Sequence, residues 1–114
     1  MEYLYKINPI LNGATVIIYG IGELERNIFA ALLQQNVYVT AFALKEGQDS
    51  IMKKVLNKKV LTFEELKAEY SNAYVIVRGD SAKTDVEVLR KAGIEKIVVE
   101  NITLKDKRMV FLGE

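Results

Sequence analysis

Neither cysteine nor histidine occurs among the 114 residues of the chain. The lack of cysteine excludes disulfides, thiolate catalysis and cysteine metal sites. The lack of histidine removes the commonest general base and the commonest metal ligand, so we expect no conventional catalytic triad and no zinc site. The uninterrupted apolar stretches, such as residues 74–77, are far shorter than the roughly 20 residues of a membrane helix. We therefore expect a cytoplasmic protein without membrane insertion.

Charge of neither sign dominates the sequence, because 16 basic and 15 acidic residues give a formal net charge of +1. No broad electrostatic field is then available to attract DNA, RNA or anionic lipid, and we expect no nucleic-acid partner. Half of the residues are hydrophobic and 27% are charged, which is the balance of a globular protein. The length is near that of one domain, so residues 1–114 are interpreted as one domain.

Predicted strands and helices alternate along the chain. The β-branched run at residues 14–19 is typical of a strand buried on both faces of a parallel sheet. The helical spacing of Leu24, Ile28 and Leu32 predicts a helix over residues 23–35. Further strands are predicted at 37–42, 60–61, 73–77, 97–99 and 108–112, further helices over 63–70 and 83–92, a lead-in helix and turn in 1–13, and a loop with a short helix in 45–58.

Several residues have the character of helix caps. Thr62 and Glu65 have the spacing of a capping box at the start of the second predicted helix. Asp80 or Ser81 is expected to cap the next helix, and Gly93 stands where a left-handed cap would end it.

The alternating order predicts an α/β fold, a Rossmann-like, doubly wound and mostly parallel sheet in three α/β/α layers. In such sheets a ligand lies beyond the carboxyl ends of the strands, where the strand order reverses. We expect that cleft beside Gly20 and Gly79.

The sequence Gly20-Ile21-Gly22-Glu23-Leu24 joins the first strand to the first helix and resembles a phosphate-binding turn. Gly20 permits a tight turn, and Gly22 lacks the Cβ that would keep a pyrophosphate from the backbone. The free amides at the helix start would bind the anion. These five residues are the leading candidates for cofactor binding.

Two features oppose a standard dinucleotide site. Glu25 occupies the position of the third glycine in G-x-G-x-x-G, and Ala43, Leu44 and Lys45 follow the second strand where an acidic residue normally holds the ribose. Glu23 and Glu25 also bring negative charge to the place where a phosphate would enter. The alternative interpretation is a sharp turn that binds no ligand.

A second candidate group follows the predicted strand at 73–77. Gly79, Asp80 and Ser81 face the same cleft, where Ser81 and the following amides can hold a phosphate or ribose and Asp80 a hydroxyl; the alternative is a simple helix cap. Lys45, with Lys53 and Lys54, is a candidate for contact with a 2′-phosphate or a phosphorylated adenosine; the alternative is a solvated charged loop.

The glycine turn, the run Lys59-Val60-Leu61-Thr62-Phe63-Glu64-Glu65-Leu66 and the run Gly93-Ile94-Glu95-Lys96-Ile97 together resemble the amino-terminal domains of bacterial surface-polysaccharide enzymes. These are Rossmann-like, coenzyme A-binding-like domains of nucleotide-sugar dehydratases and sugar O-acyltransferases. The resemblance covers about residues 12–100. It implies a domain that binds NAD(P), coenzyme A or a nucleotide sugar, with residues 20–23 on the family's phosphate turn, and often an appended catalytic region.

Three hypotheses follow. The first is a nucleotide-binding Rossmann-like domain linked to sugar or polysaccharide metabolism, either non-catalytic or a fragment of a larger enzyme. The second is an interaction module with a vacant site that forms a homodimer through its apolar ends, Tyr3, Leu4 and Tyr5 at one end and residues 109–112 at the other. The third, a complete small enzyme using Tyr19, Lys45 or Asp80, ranks lowest because nothing pairs these residues.

Overall fold

A computed structural model describes residue 11, residues 13–101 and residues 108–111, and the structural statements that follow concern this part of the chain. The strands are β1 (Val16–Tyr19), β2 (Ala41–Ala43), β3 (Lys54–Val55), β4 (Lys58–Leu61), β5 (Tyr74–Arg78), β6 (Ile97–Asn101) and β7 (Arg108–Phe111). The α-helices are α1 (Glu23–Gln34), α2 (Phe63–Glu69) and α3 (Ala82–Lys91). A short 3-10 helix, Gly79–Ser81, leads from β5 into α3.

The seven strands form one sheet in the order β3-β4-β2-β1-β5-β6-β7. β1 lies at the centre and pairs in parallel with β2 on one side and β5 on the other. The pairs β2–β4 and β5–β6 are also parallel, and only the outer pairs β3–β4 and β6–β7 are antiparallel. The chain therefore reverses its direction of progress across the sheet between β1 and β5, which confirms the predicted doubly wound, mostly parallel sheet.

The core has two halves because successive side chains of β1 point to opposite faces of the sheet. Val16 and Ile18 pack with Ile28 and Leu32 of α1 in one cluster. Ile17 and Tyr19 pack in the other cluster with Leu66 of α2 and Leu89 of α3. Helix α1 thus covers one face and α2 and α3 cover the other, which gives the predicted three layers. Full burial of each such aliphatic side chain contributes about 1.5–3 kcal/mol.

Two of the predicted helix caps are confirmed. The Thr62 side chain accepts a hydrogen bond from the Glu65 amide at 3.0 Å, and the Glu65 carboxylate accepts one from the Thr62 amide at 2.9 Å. This capping box fixes the start of α2 directly after β4. Beyond α3, Gly93 has the left-handed backbone (φ +89°) that was expected of its cap.

The prediction for residues 45–58 was wrong in one respect, because the segment contains a β-hairpin and no helix. β3 pairs with β4 through a two-residue turn in which Leu56 and Asn57 both have positive φ, 49° and 68°. These angles are typical of a type I′ hairpin turn, whose twist matches the strands. Four apolar residues of the segment are spaced as in a helix, but only Val55 is buried, whereas Ile51, Met52 and Leu56 are exposed.

Other predictions need smaller corrections. β2 begins at Ala41 and not at Val37, although Val37 and Val39 are buried on the approach to it. β7 agrees with the predicted last strand. The predicted lead-in helix lies almost wholly outside the described residues; Leu11 is helical and buried. No helix in the described ranges has the length and apolar character to cross a membrane.

The turn geometry of the hairpin predicts that Leu56→Asn stabilises the protein. A branched side chain in the left-handed region costs about 1–2 kcal/mol, whereas asparagine tolerates that backbone. We expect a gain of about 1 kcal/mol in the free energy of unfolding, measured by urea denaturation. Leu33→Asn, at another half-exposed leucine but in ordinary helical backbone, is the control and should show no gain. An unchanged or reduced stability of Leu56→Asn would contradict the turn assignment.

Candidate functional site

The glycine turn lies at the centre of the carboxyl edge of the sheet, between β1 and α1. Gly20 is buried and has φ +114°, a backbone conformation that requires glycine, and its amide donates to the Ala43 carbonyl at 2.7 Å. Gly22 is exposed and is the N-cap residue of α1. At the N-cap no side chain forms a capping hydrogen bond with the first turn of this helix. The first amides of α1 are therefore not capped by a side chain of the N-cap residue.

A carboxylate of the protein itself occupies the hollow of this turn. The Glu25 side chain is 2% exposed and points back towards both glycines. A Cβ placed on Gly20 would lie 2.5 Å from Glu25 Oε2, and one placed on Gly22 would lie 2.9 Å from Glu25 Oε1. In a dinucleotide site the absent side chain of the second glycine leaves room for the pyrophosphate. Here Glu25 fills that room.

Few polar contacts hold the Glu25 carboxylate. Arg78 Nη1, at the end of β5, lies 3.5 Å from Glu25 Oε2, while Arg78 directs its shorter contacts, 2.9 and 3.3 Å, at Asp80. Glu25 Oε1 is buried and has no hydrogen-bond partner among the described residues. An unpaired buried polar atom costs about 1–3 kcal/mol. The negative charge in the first turn of α1 offsets part of this through the helix dipole, about 0.3–1 kcal/mol.

A second polar cluster joins the end of β2 to the start of α3. Lys45 Nζ lies 2.9 Å from Asp85 Oδ2 and donates to Ser81 Oγ at 3.3 Å. Ser81 Oγ in turn donates to Asp85 Oδ2 at 2.7 Å. Two of the predicted site residues, Lys45 and Ser81, are thus brought together by Asp85, which was not among the predicted site residues. Asp85 follows Ser81 by four residues, and this helical spacing was the available signal.

The expectation that Asp80 or Ser81 caps α3 with its side chain was wrong. Ser81 stands at the N-cap of α3, but its side chain makes no capping hydrogen bond, because its hydroxyl is turned to Asp85. Asp80 makes no cap either, since its carboxylate pairs with Arg78. Lys54 lies in the β3–β4 hairpin, directly across the strand pair from Lys59. The Glu23 side chain is exposed.

Tyr19, the last residue of β1, lies beside the second polar cluster. Its hydroxyl accepts a hydrogen bond from the Glu46 amide at 3.1 Å, and Lys45 Nζ lies 5.7 Å from the ring centroid. Burial raises the pKa of the Tyr19 phenol above its ordinary value of 10.0; the Glu46 amide lowers it, and the charges of Asp85 and Glu46 raise it further. Tyr19 therefore remains a neutral phenol that orders the loop after β2.

The carboxylates of the cleft outnumber its cations. Within the described part of the chain, Lys45 is paired with Asp85, and Arg78 is paired with Asp80 and Glu25. Both cations are about one-quarter exposed, so each is reached from solvent. Both cations of the cleft are therefore already paired with carboxylates of the protein itself.

The Tyr19 environment predicts a stability loss at alkaline pH. Above about pH 10 the unfolded chain releases the Tyr19 proton while the folded protein retains it. The contribution of the neutral phenol to the free energy of unfolding is therefore full below about pH 10, and it is lost as the pH rises through the raised pKa. At about pH 8, Tyr19→Phe should be less stable than the wild type by about 0.5–1.5 kcal/mol, for the lost hydrogen bond. Urea denaturation should show this gap narrowing towards about pH 11. A gap independent of pH would contradict the assignment; Tyr38→Phe, at an exposed tyrosine, is the matched control.

No protein-family model and no curated protein matches the sequence. The chain is similar in structure to the crystal structure of UDP-D-quinovosamine 4-dehydrogenase from Vibrio fischeri, with a TM-score of 0.61 and 18% sequence identity. The similarity covers 87% of this chain and 93% of that chain. At this level of identity the similarity shows a shared fold. The chain has a Rossmann-like α/β fold, which that enzyme also has.

Proposed function

We propose that this domain binds a nucleotide-type ligand in the cleft beyond the carboxyl ends of β1 and β5. A nucleotide sugar is the first candidate, and NAD(P) and coenzyme A are the others. One observation carries the proposal: the hollow of the turn at Gly20 and Gly22 holds an anionic group at the start of α1. A carboxylate and a phosphate are both stabilised by free amides and by the positive end of a helix dipole.

The phosphate takes the place of Glu25 in this proposal. The carboxylate has one ion-pair contact, 3.5 Å long, and one oxygen without a partner among the described residues. Few specific contacts are therefore broken when the side chain moves. Gly22 is exposed, which gives the ligand a route to the turn once the side chain has swung out. The amides of residues 21–24 and the Arg78 guanidinium then bind the phosphate. The free energy needed to move Glu25 lowers the apparent affinity.

The second cluster is assigned to the sugar part of the ligand. Gly79, Asp80 and Ser81 follow β5, the neighbour of β1, and Lys45 follows β2 on its other side. The Ser81 hydroxyl and the Asp80 carboxylate are hydrogen-bonding groups suited to ribose or hexose hydroxyls. A role in sugar or polysaccharide metabolism rests on this chemistry and on the similarity in fold to a UDP-D-quinovosamine 4-dehydrogenase.

The second candidate function is an interaction module in which Glu25 has permanently replaced the ligand. The closed turn and the paired cations favour it. In this account the domain acts by associating with a second copy or with an appended catalytic domain. The side chains named for such a dimer, at both ends of the sequence, lie outside the residues whose side chains are described.

Removal of the Glu25 carboxylate distinguishes the two functions. The wild type, Glu25→Ala and Glu23→Ala are compared in thermal-shift and calorimetric titrations with UDP-sugars, NAD, NADP, coenzyme A and AMP. We expect saturable binding of one ligand to the wild type and about tenfold tighter binding to Glu25→Ala, which corresponds to about 1.4 kcal/mol for displacing the carboxylate. Ligand at 100 times its dissociation constant should add about 2.7 kcal/mol of stability.

Glu23→Ala is the matched control, because Glu23 lies in the same helical turn but is exposed. It should change affinity less than Glu25→Ala, since solvent and salt screen an exposed charge. A flat response of both the wild type and Glu25→Ala would contradict nucleotide binding. Binding by Glu25→Ala alone would show that the natural turn is closed and would favour the interaction module.

A further inference from the structure

The hairpin formed by β3 and β4 concentrates positive charge in a chain that is almost neutral overall. We call residues 51–59 the lysine hairpin. It contains four lysines, Lys53, Lys54, Lys58 and Lys59, and no acidic residue, against a net charge of +1 for the whole chain. Among the described residues none of these lysines forms an ion pair. The nearest acidic residue in sequence, Asp49, is exposed and precedes the hairpin.

Two of these lysines oppose each other directly. Lys54 of β3 is the cross-strand partner of Lys59 of β4, so both side chains stand on one face of the hairpin, and both are exposed. Like charges at directly opposed positions destabilise an antiparallel pair. The arrangement becomes favourable when an external anion lies between the two ammonium groups.

Apolar side chains are exposed beside the lysines. Ile51 is 94% exposed, and Met52 and Leu56 are nearly half exposed. Three of the five large hydrophobic residues that are exposed in the described part of the chain thus lie within six positions. Leu56 also occupies a left-handed turn position, φ 49°, that favours asparagine or glycine. The tip of the hairpin therefore combines a strained backbone with an exposed apolar side chain.

We propose that the lysine hairpin docks the domain on the surface of an anionic phospholipid bilayer. Phosphate headgroups separate the opposed Lys54 and Lys59 side chains, and Ile51, Met52 and Leu56 enter the interface between headgroups and acyl chains. A few apolar residues within a cluster of lysines match such a surface, which requires no shape complementarity. A stable protein partner would need about 800 Å² of complementary surface on each side.

The tip of the hairpin lies far from the proposed nucleotide site along the strands, whereas Ile51 and Met52 precede the antiparallel β3 and lie towards the carboxyl end of β4. The tip of the hairpin, Leu56 and Asn57, precedes β4 and so lies at the amino end of the parallel strands. The glycine turn and the second polar cluster lie at the carboxyl end. Leu56→Asn, at the tip, should leave ligand binding unchanged, so failure of one proposal is distinguishable from failure of the other.

Vesicle co-sedimentation tests the proposal. The probes are vesicles of pure phosphatidylcholine and vesicles that also contain phosphatidylglycerol. We expect binding to the anionic vesicles only, weakened by high salt. Lys54→Gln with Lys59→Gln should weaken binding about 30-fold, at roughly 1 kcal/mol for each lysine. Lys83→Gln with Lys91→Gln, an equal change of charge at two exposed lysines of α3, is the control and should bind like the wild type.

Leu56→Asn separates docking from folding, because it should weaken vesicle binding while leaving the fold at least as stable as the wild type. The proposal would be overturned by no binding to anionic vesicles at low salt, by an equal loss in both double variants, or by complete competition by inorganic phosphate at constant ionic strength. The last result would assign the lysines to a free anion. Self-association that depends on the hairpin lysines, without vesicle binding, would assign them to protein contacts and would also overturn it.

Discussion

The position of the Glu25 carboxylate determines what the carboxyl edge of this sheet can bind. It lies in the bend at Gly20 and Gly22, at the positive end of α1, where a Rossmann domain ordinarily receives a phosphate. The charge is buried with one long contact to Arg78. The turn thus retains the geometry of an anion site while the protein supplies the anion, and any external phosphate competes with an internal group.

The cations of the cleft are likewise paired with carboxylates of the protein itself. Asp85 forms an ion pair with Lys45 and accepts a hydrogen bond from the Ser81 hydroxyl, and Asp80 forms an ion pair with Arg78. The Lys45–Asp85 pair links the end of β2 to the helix that follows β5, so the point where the strand order reverses is held by a polar contact as well as by the two halves of the core. The hairpin at the β3 edge of the sheet differs, because its lysines have no such compensation among the described residues.

The fold could be predicted because its signals are local and repeated: buried β-branched runs such as residues 14–19, a capping box at Thr62 and Glu65, and a glycine at 93. The hairpin could not, because Val55 and Leu56 fit a helical period as well as a turn, and only the tertiary pairing with β4 decides between them.

The candidate site was predictable only in part for a similar reason. Gly22 has an ordinary backbone, φ −79°, so the Glu25 contact explains a glycine there as well as a ligand does. The sequence shows Glu25 in place of the third glycine, but the inward direction of its side chain depends on packing. The links of Arg78 to Glu25 and of Lys45 to Asp85 join residues that are 53 and 40 positions apart, beyond the reach of any local pattern.

The most direct test of this account is a double-mutant cycle between Gly22→Ala and Glu25→Ala, followed by urea denaturation. With Glu25 present, the new methyl group must displace Oε1, at a cost of about 1–3 kcal/mol. With Glu25 removed, only the weaker N-cap preference of alanine remains, and this cancels in the cycle. The account predicts a coupling free energy above about 1 kcal/mol. Additivity of the two substitutions, within about 0.5 kcal/mol, would show that the carboxylate does not lie in the turn.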